Sequence, residues 1–108
     1  MLHLVHPPSS IEARIRLAIA NKRLVEVGYK GRARVAEPHD YGKQKGMDRL
    51  LVYQLRVPSS SGRDAMGWRL FDVAKIESLA VLDTVFKGSR RTSDQVHHQW
   101  DVLYARVD

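Results

Sequence analysis

The chain has 108 residues, of which 18 are Lys or Arg and 12 are Asp or Glu, so its formal net charge is +6 at pH 7. A composition of 44% hydrophobic and 28% charged residues is typical of globular proteins, which excludes a wholly disordered or collagen-like chain. The absence of cysteine excludes disulfides, thiol catalysis and thiolate zinc sites. We expect a single domain over residues 1–108, with its core in 11–86.

The positive charge is concentrated near the start of the chain. The stretch 14–34 contains one acid, Glu26, and seven bases: Arg14, Arg16, Lys22, Arg23, Lys30, Arg32 and Arg34. Such a concentration favours phosphate or another polyanion as a partner, although a solvated basic surface explains it equally well. No apolar run approaches the ~20 residues that span a bilayer, and residues 1–10 do not form a signal peptide. We therefore expect a cytoplasmic protein with no membrane partner.

The first predicted element is a helix that begins after Pro7-Pro8. Ser9 and Glu12 have the spacing of a capping box, in which each side chain satisfies a free amide of the first turn. Asn21 is expected to end the helix in a left-handed conformation. The apolar stripe of this helix consists of Ile11, Ile15, Ala18 and Ile19.

Five strands are predicted after this helix, and period-two alternation in four separate segments favours this assignment. Residues 24–29 and 32–36 predict a hairpin around Lys30-Gly31, and Pro38 is expected to end its pairing. Residues 39–42 and 44–46 are predicted as loop, and further strands are predicted at 51–57, 68–73 and 79–82. The pattern predicts a mainly β domain, a small five-stranded antiparallel barrel. Its predicted core contains Val27, Val35, Leu51, Tyr53, Leu55, Leu79 and Val81.

The C-terminal part, 87–108, is predicted as a basic link followed by a helix. Thr92 and Gln95 can cap that helix. Its apolar stripe would consist of Val96, Trp100, Leu103 and Val107. The stripe needs a partner surface, which is either the barrel or a second subunit, so a homo-oligomer through this helix is one expectation.

Several short motifs occur in an order that resembles the WYL domain family of bacterial regulators. They are Tyr29-x-Gly31-x-x-Arg34, Glu37-Pro38, Leu50-Leu51, Arg69-x-Phe71-x-x-x-Lys75-Ile76 and Leu82-Asp83-x-x-Phe86. The resemblance covers about residues 11–86 and implies an SH3-like or Sm-like barrel. The name-giving Trp-Tyr-Leu is replaced by Arg49-Leu50-Leu51, and only ten residues precede the first helix, too few for the helix-turn-helix that usually accompanies the domain.

The resemblance implies a non-enzymatic, ligand-sensing module that binds a nucleotide or single-stranded nucleic acid on a basic and aromatic strand surface. Carried over position by position, its ligand-binding residues are Tyr29, Arg34, Arg69, Phe71 and Lys75. Arginine forks suit phosphate and aromatic rings can stack a base. The alternatives are that the aromatic residues only fill the core and that the arginines form surface ion pairs.

Enzyme motifs are absent from the sequence. Ser59-Ser60-Ser61 lacks the Gly-x-Ser-x-Gly turn, no glycine-rich phosphate loop is present, and His97-His98 diverge on a helix. His39-Asp40 is more often a turn than a catalytic pair. We expect no cofactor, metal or catalytic residue. The second hypothesis is a protein-interaction or dimerisation module without a nucleic-acid ligand.

Overall fold

The computed structural model describes residues 10–56, 66–90 and 99–108. It contains one α-helix, one 3₁₀ helix and six strands within these ranges. In chain order they are α1 (Ile11–Ala20), β1 (Arg23–Tyr29), β2 (Arg32–Gln44), β3 (Met47–Arg56), β4 (Gly67–Asp72), the 3₁₀ helix (Val73–Lys75), β5 (Ser78–Val85) and β6 (Val102–Arg106). The prediction of a mainly β domain with an N-terminal helix is confirmed. No helix of the described residues is long and apolar enough to cross a membrane.

The strands form one antiparallel sheet in the order β4-β3-β2-β1-β5, and β6 pairs with β2 beside this path. Strand β2 is the longest, and its first half pairs with β1 while its second half pairs with β6. Among the described strands none joins β4 to β5, so the sheet is open. The prediction of a closed five-stranded barrel is therefore wrong. The sheet does not close, and it has a sixth strand in a segment that we predicted as helix.

Helix α1 begins where its sequence predicts, but different residues cap it. The hydroxyl of Ser10 accepts a hydrogen bond from the amide of Ala13 at 3.0 Å, so Ser10 is the N-cap, and Ser9 lies outside the described residues. At the other end the left-handed residue is Lys22, with φ 53°, and not Asn21. The side-chain amide of Asn21 instead donates to the carbonyl of Leu17 at 2.9 Å, which also accepts from the backbone amide of Asn21 at 3.1 Å.

The first hairpin is confirmed around Lys30-Gly31, but Pro38 does not end it. Strand β2 continues through Pro38 to Gln44, so the loop predicted at 39–42 is strand. The register shifts between Pro38 and Asp40, which places His39 in a bulge. The bulge accommodates a residue that cannot donate to the ladder, and pairing resumes beyond it. The next turn is centred on Lys45-Gly46, whose φ angles are 51° and 79°.

The predicted C-terminal helix is wrong for residues 102–106, which form strand β6. The second half of β2 has an edge that β1 does not reach, and β6 fills it with antiparallel pairing from Lys43 to Asp40. Backbone bonds extend the contact on both sides, from Asp101 to Lys43 at 2.9 Å and from Val107 to His39 at 2.8 Å. Thr92, Gln95 and Val96 of the expected helix lie outside the described residues. The segment therefore forms a strand at this edge, although its apolar residues have helical spacing.

The core lies between α1 and one face of the sheet. Ile15, Ala18 and Ile19 of the helix pack in one cluster with buried residues of β1, β2, β3, β4 and β5. Of the predicted core residues, four are buried and three are half-buried. The buried ones are Val27, Val35, Leu51 and Leu79; the half-buried ones are Tyr53, Leu55 and Val81.

Candidate anion-binding site

Four of the five predicted site residues line one open pocket of about 470 Å³ between the first hairpin and β4. The lining consists of Tyr29, Lys30, Arg32, Arg34, Arg69, Leu70 and Phe71. Four of these side chains are cationic and none is acidic. The pocket is thus a basic recess whose walls come from β1, β2 and β4, with the Lys30-Gly31 turn beside it.

Strand pairing explains why two arginines distant in sequence meet in this pocket. Arg69 and Phe71 are two residues apart on β4, so they share a face of the sheet. Arg69 pairs with Val52 of β3, and Gln54 lies on the same face of β3 two residues further along. The side chain of Gln54 reaches Arg34 of β2, whose Nη1 donates to its Oε1 at 3.1 Å. A single face spanning β2, β3 and β4 therefore carries Arg34 and Arg69.

Arg34 is the most unusual residue of the pocket, because it is only 8% exposed and its guanidinium has neutral partners. Its Nε and Nη2 donate to the carbonyl of Tyr29 at 3.4 and 3.3 Å, and Nη1 donates to Gln54. No acid of the described residues pairs with it. Burial lowers the pKa of Arg34, and the positive charges of Arg32 and Arg69 lower it further. A buried cation without a neighbouring carboxylate is costly, and an anion in the pocket would relieve that cost.

The two aromatic residues of the site pack against each other. The rings of Tyr29 and Phe71 are 4.4 Å apart and inclined by 30°, and they are 7% and 2% exposed. The hydroxyl of Tyr29 accepts a hydrogen bond from the amide of Asp72 at 3.1 Å, which fixes that ring at its far end. The guanidinium carbon of Arg34 lies 5.9 Å from the Tyr29 ring and 5.7 Å from the Phe71 ring. These rings support the cation and have almost no free face on which a base can stack.

The fifth predicted site residue, Lys75, is not part of the pocket lining. It lies in the 3₁₀ helix, is 69% exposed at its side chain and pairs with Asp72 at 3.5 Å. Asp72 also faces Arg49, with 3.1 Å between its Oδ1 and Nε of the arginine. The structure thus places Lys75 in a surface ion-pair group and not beside Arg34 and Arg69.

Lys30, Arg32 and Gln54 were not predicted as site residues, although Lys30 and Arg32 belong to the basic stretch 14–34. Lys30 and Arg32 flank the turn and are exposed at the rim of the pocket. The spacing of Arg32 and Arg34 was visible in the sequence, since residues two apart on a strand share a face, whereas Lys30 lies in the turn before β2. Gln54 gave no such signal, because a polar residue in a predicted strand is ordinarily placed on the solvent side.

The arrangement can bind an anion, because four cationic side chains line one recess. No known protein family, curated protein or solved structure matches this chain. Within residues 10–56, 66–90 and 99–108, no cluster of three or more His, Asp or Glu side chains could hold a metal ion. Function is therefore inferred from the pocket and from the charges around it.

A second polar cluster lies on the other face of the sheet, and the sequence analysis missed it too. Glu37 and His39 are buried on β2, and the guanidinium of Arg90 pairs with Glu37, with 3.1 Å between Nη2 and Oε2. The Nδ1 of His39 donates to the carbonyl of Glu37 at 3.0 Å, and its Nε2 accepts from the amide of Arg90 at 3.2 Å. A carbonyl can only accept and an amide can only donate, so these contacts fix the neutral tautomer of His39. Arg90 also stacks over Tyr53 at 4.1 Å, which makes this cluster an internally satisfied link between β2 and the segment after β5.

Proposed function

We propose that this protein is a non-enzymatic binding module of the WYL type that holds a nucleotide or single-stranded nucleic acid by its phosphate groups. The single observation that carries the proposal is the buried guanidinium of Arg34, which faces a basic pocket and has neutral acceptors as its partners. Proteins that bury an arginine ordinarily pair it with a carboxylate. Here a phosphate from outside the chain is the anion that completes the pair.

The other cations of the pocket support a phosphate ligand. Arg69 lies on the same face as Arg34, and its Nη1 donates to the carbonyl of Trp68 at 2.8 Å. Lys30 and Arg32 add charge at the exposed rim. Planar guanidinium groups bind phosphate oxygens in pairs, and the flexible lysine contributes as a point charge. The four cations together attract a polyanion from solution, and their effect weakens as salt is added.

The proposal is tested by titrating a fluorescent oligothymidine with the wild type and with R34A/R69A at several salt concentrations. Loss of two phosphate contacts is expected to weaken binding and to lower the slope of log affinity against log salt by roughly 0.7 per contact. The same titration with ATP tests whether the protein binds a nucleotide.

The matched control is R16A/K43A, which removes the same charge from two exposed positions outside the pocket. Circular dichroism melting of all three proteins separates loss of binding from loss of fold. If R34A/R69A binds with the affinity and salt slope of the wild type, the pocket does not hold phosphate. Concentration-dependent self-association without affinity for either ligand would favour the protein-interaction module instead.

A further inference from the structure

We infer that the pocket selects a compact, multiply charged phosphate group, such as a diphosphate or triphosphate, and leaves the nucleoside outside. This inference rests on the proposed function and narrows its ligand class. It predicts that the phosphate chain alone binds nearly as well as the nucleotide that carries it. It also predicts that an internal stretch of a nucleic-acid strand binds less well than a terminal oligophosphate.

The first support is the density of charge. Lys30, Arg32, Arg34 and Arg69 line one pocket of about 470 Å³, with no acid among the lining residues. A terminal phosphate monoester carries about −1.5 to −2 charges at pH 7, and a diphosphate adds a further charge next to it. A strand instead spaces single charges along its backbone, so fewer of them fit into one recess at the same time. The pocket volume is also within the range of sites for small molecules.

The second support is the lack of a stacking platform. Non-specific binding of single strands relies on aromatic side chains that expose a face to successive bases. The aromatic residues of this pocket, Tyr29 and Phe71, are buried against each other at 4.4 Å, and Arg34 lies over them. The remaining apolar lining residue is Leu70. The pocket therefore offers charge to a ligand and very little aromatic surface to a base.

The third support is the position of Arg69 beside a glycine. Gly67 has φ +149°, and a Cβ built on it would lie 2.9 Å from Nη1 of Arg69. This arginine folds back over its own strand and donates to the carbonyl of Trp68 at 2.8 Å. The space at Gly67 thus accommodates the guanidinium group. The positions of both pocket arginines are set by packing and backbone contacts, as in a site formed before its ligand arrives.

Isothermal titration calorimetry at fixed ionic strength tests the inference with inorganic phosphate, pyrophosphate, tripolyphosphate, adenosine, AMP, ADP, ATP and GTP. Pyrophosphate and ADP are expected to bind within about threefold of each other, a difference of under 1 kcal/mol. AMP and inorganic phosphate are expected to bind about tenfold more weakly, and adenosine is expected not to bind. ATP and GTP should bind equally, because no side chain of the pocket reads the base.

Substitutions in the pocket test whether the phosphate compounds bind there. R34Q should abolish pyrophosphate binding. K30Q/R32Q should reduce the gain in affinity that tripolyphosphate has over pyrophosphate. The control R16A/K43A should leave both unchanged, since a loss there would show non-specific attraction of polyanions and overturn the inference. Melting curves confirm that each variant is folded.

The failure of the inference can be distinguished from the failure of the proposed function. If an oligothymidine binds in a manner that requires Arg34 but pyrophosphate neither binds nor competes, the inference is wrong and the phosphate-binding module stands. Measurable binding of adenosine, or a tenfold preference between ATP and GTP, would also overturn the inference. If no phosphate compound binds at all, both proposals fail.

Discussion

The ion pair between Asp40 and Arg106 is expected to hold the C-terminal strand in place. Asp40 lies on β2 and is 0% exposed, while Arg106 is the last residue of β6. Nε and Nη2 of the arginine donate to the two carboxylate oxygens at 3.0 and 3.2 Å. The indole Nε1 of Trp100 donates to Oδ2 at 3.1 Å. The hydrogen bond from Arg106 to this carboxylate raises the pKa of Arg106, so its guanidinium stays protonated throughout the neutral range.

The size of the effect follows from the burial of the two partners. Breaking a fully buried pair by removal of one partner costs about 3 to 5 kcal/mol. The side chain of Arg106 is 45% exposed, so water partly replaces the lost contact, and R106L should lower the free energy of unfolding by about 2 to 3 kcal/mol. D40N keeps the shape of the side chain but weakens three hydrogen bonds, for which we expect a loss of about 2 kcal/mol. The double variant should lose less than the sum, because the buried carboxylate is no longer left unpaired.

Urea denaturation followed by tryptophan fluorescence measures these free energies in a double-mutant cycle. The exposed pair of Arg23 and Asp83 is the matched control, since the carboxylate of Asp83 is fully exposed and the two groups are 2.6 Å apart. D83N should change stability by at most about 1 kcal/mol. If D40N and D83N cost the same, or if D40N and R106L add without interaction, Asp40 does not anchor β6.

Two further predictions concern a buried phenol and a strained turn. Burial and Glu12 raise the pKa of Tyr41, so its phenol stays neutral in the folded chain at a pH at which it ionises in the unfolded chain. The free energy of unfolding should therefore fall as the pH rises above about 10. Y41F should flatten this fall in a series of urea denaturations at pH 9 to 11. A steeper fall in Y41F would contradict the reasoning. Lys45 has φ 51° in the turn before Gly46, a left-handed conformation in which Asn is preferred. In urea denaturation, K45N should therefore raise the free energy of unfolding by about 0.5 to 1 kcal/mol, and K45V should lower it by about 1 to 2 kcal/mol. Equal stability of the two variants would refute a strained turn.

Local signals in the sequence predicted most of the elements. The stripe of α1, the turn at Lys30-Gly31 and the alternation of the strands depend on neighbouring residues, and the structure confirms them. The path beyond Pro38 could not be predicted in this way. Whether a proline ends a strand depends on a bulge that only the pairing partners reveal, and here the register shift at His39 allows pairing to continue.

The C-terminal segment shows why a helical stripe is weak evidence by itself. Leu103 and Val107 satisfy helical spacing, but β6 includes Leu103 and pairs with an edge more than fifty residues away in sequence. Sequence periodicity carries no information on which edges other strands leave open. The same limit applies to the pocket, since the spacing of Arg32 and Arg34 indicates a shared face but does not reveal that Gln54 and Arg69 meet it.

The late arrival of β6 has a consequence for the order in which the chain assembles. Asp40 and Arg106 are 66 residues apart, so the ribosome needs roughly 3 to 13 s to make the intervening chain at 5 to 20 residues per second. During that time β1, β2 and β3 can already pair through their tight turns, whereas the outer edge of β2 between Asp40 and Lys43 waits for a partner. An open edge can pair with another chain, and a charged side chain within it discourages such pairing. The carboxylate that pairs with Arg106 in the finished protein is therefore also expected to discourage pairing of this edge with other chains until Arg106 emerges.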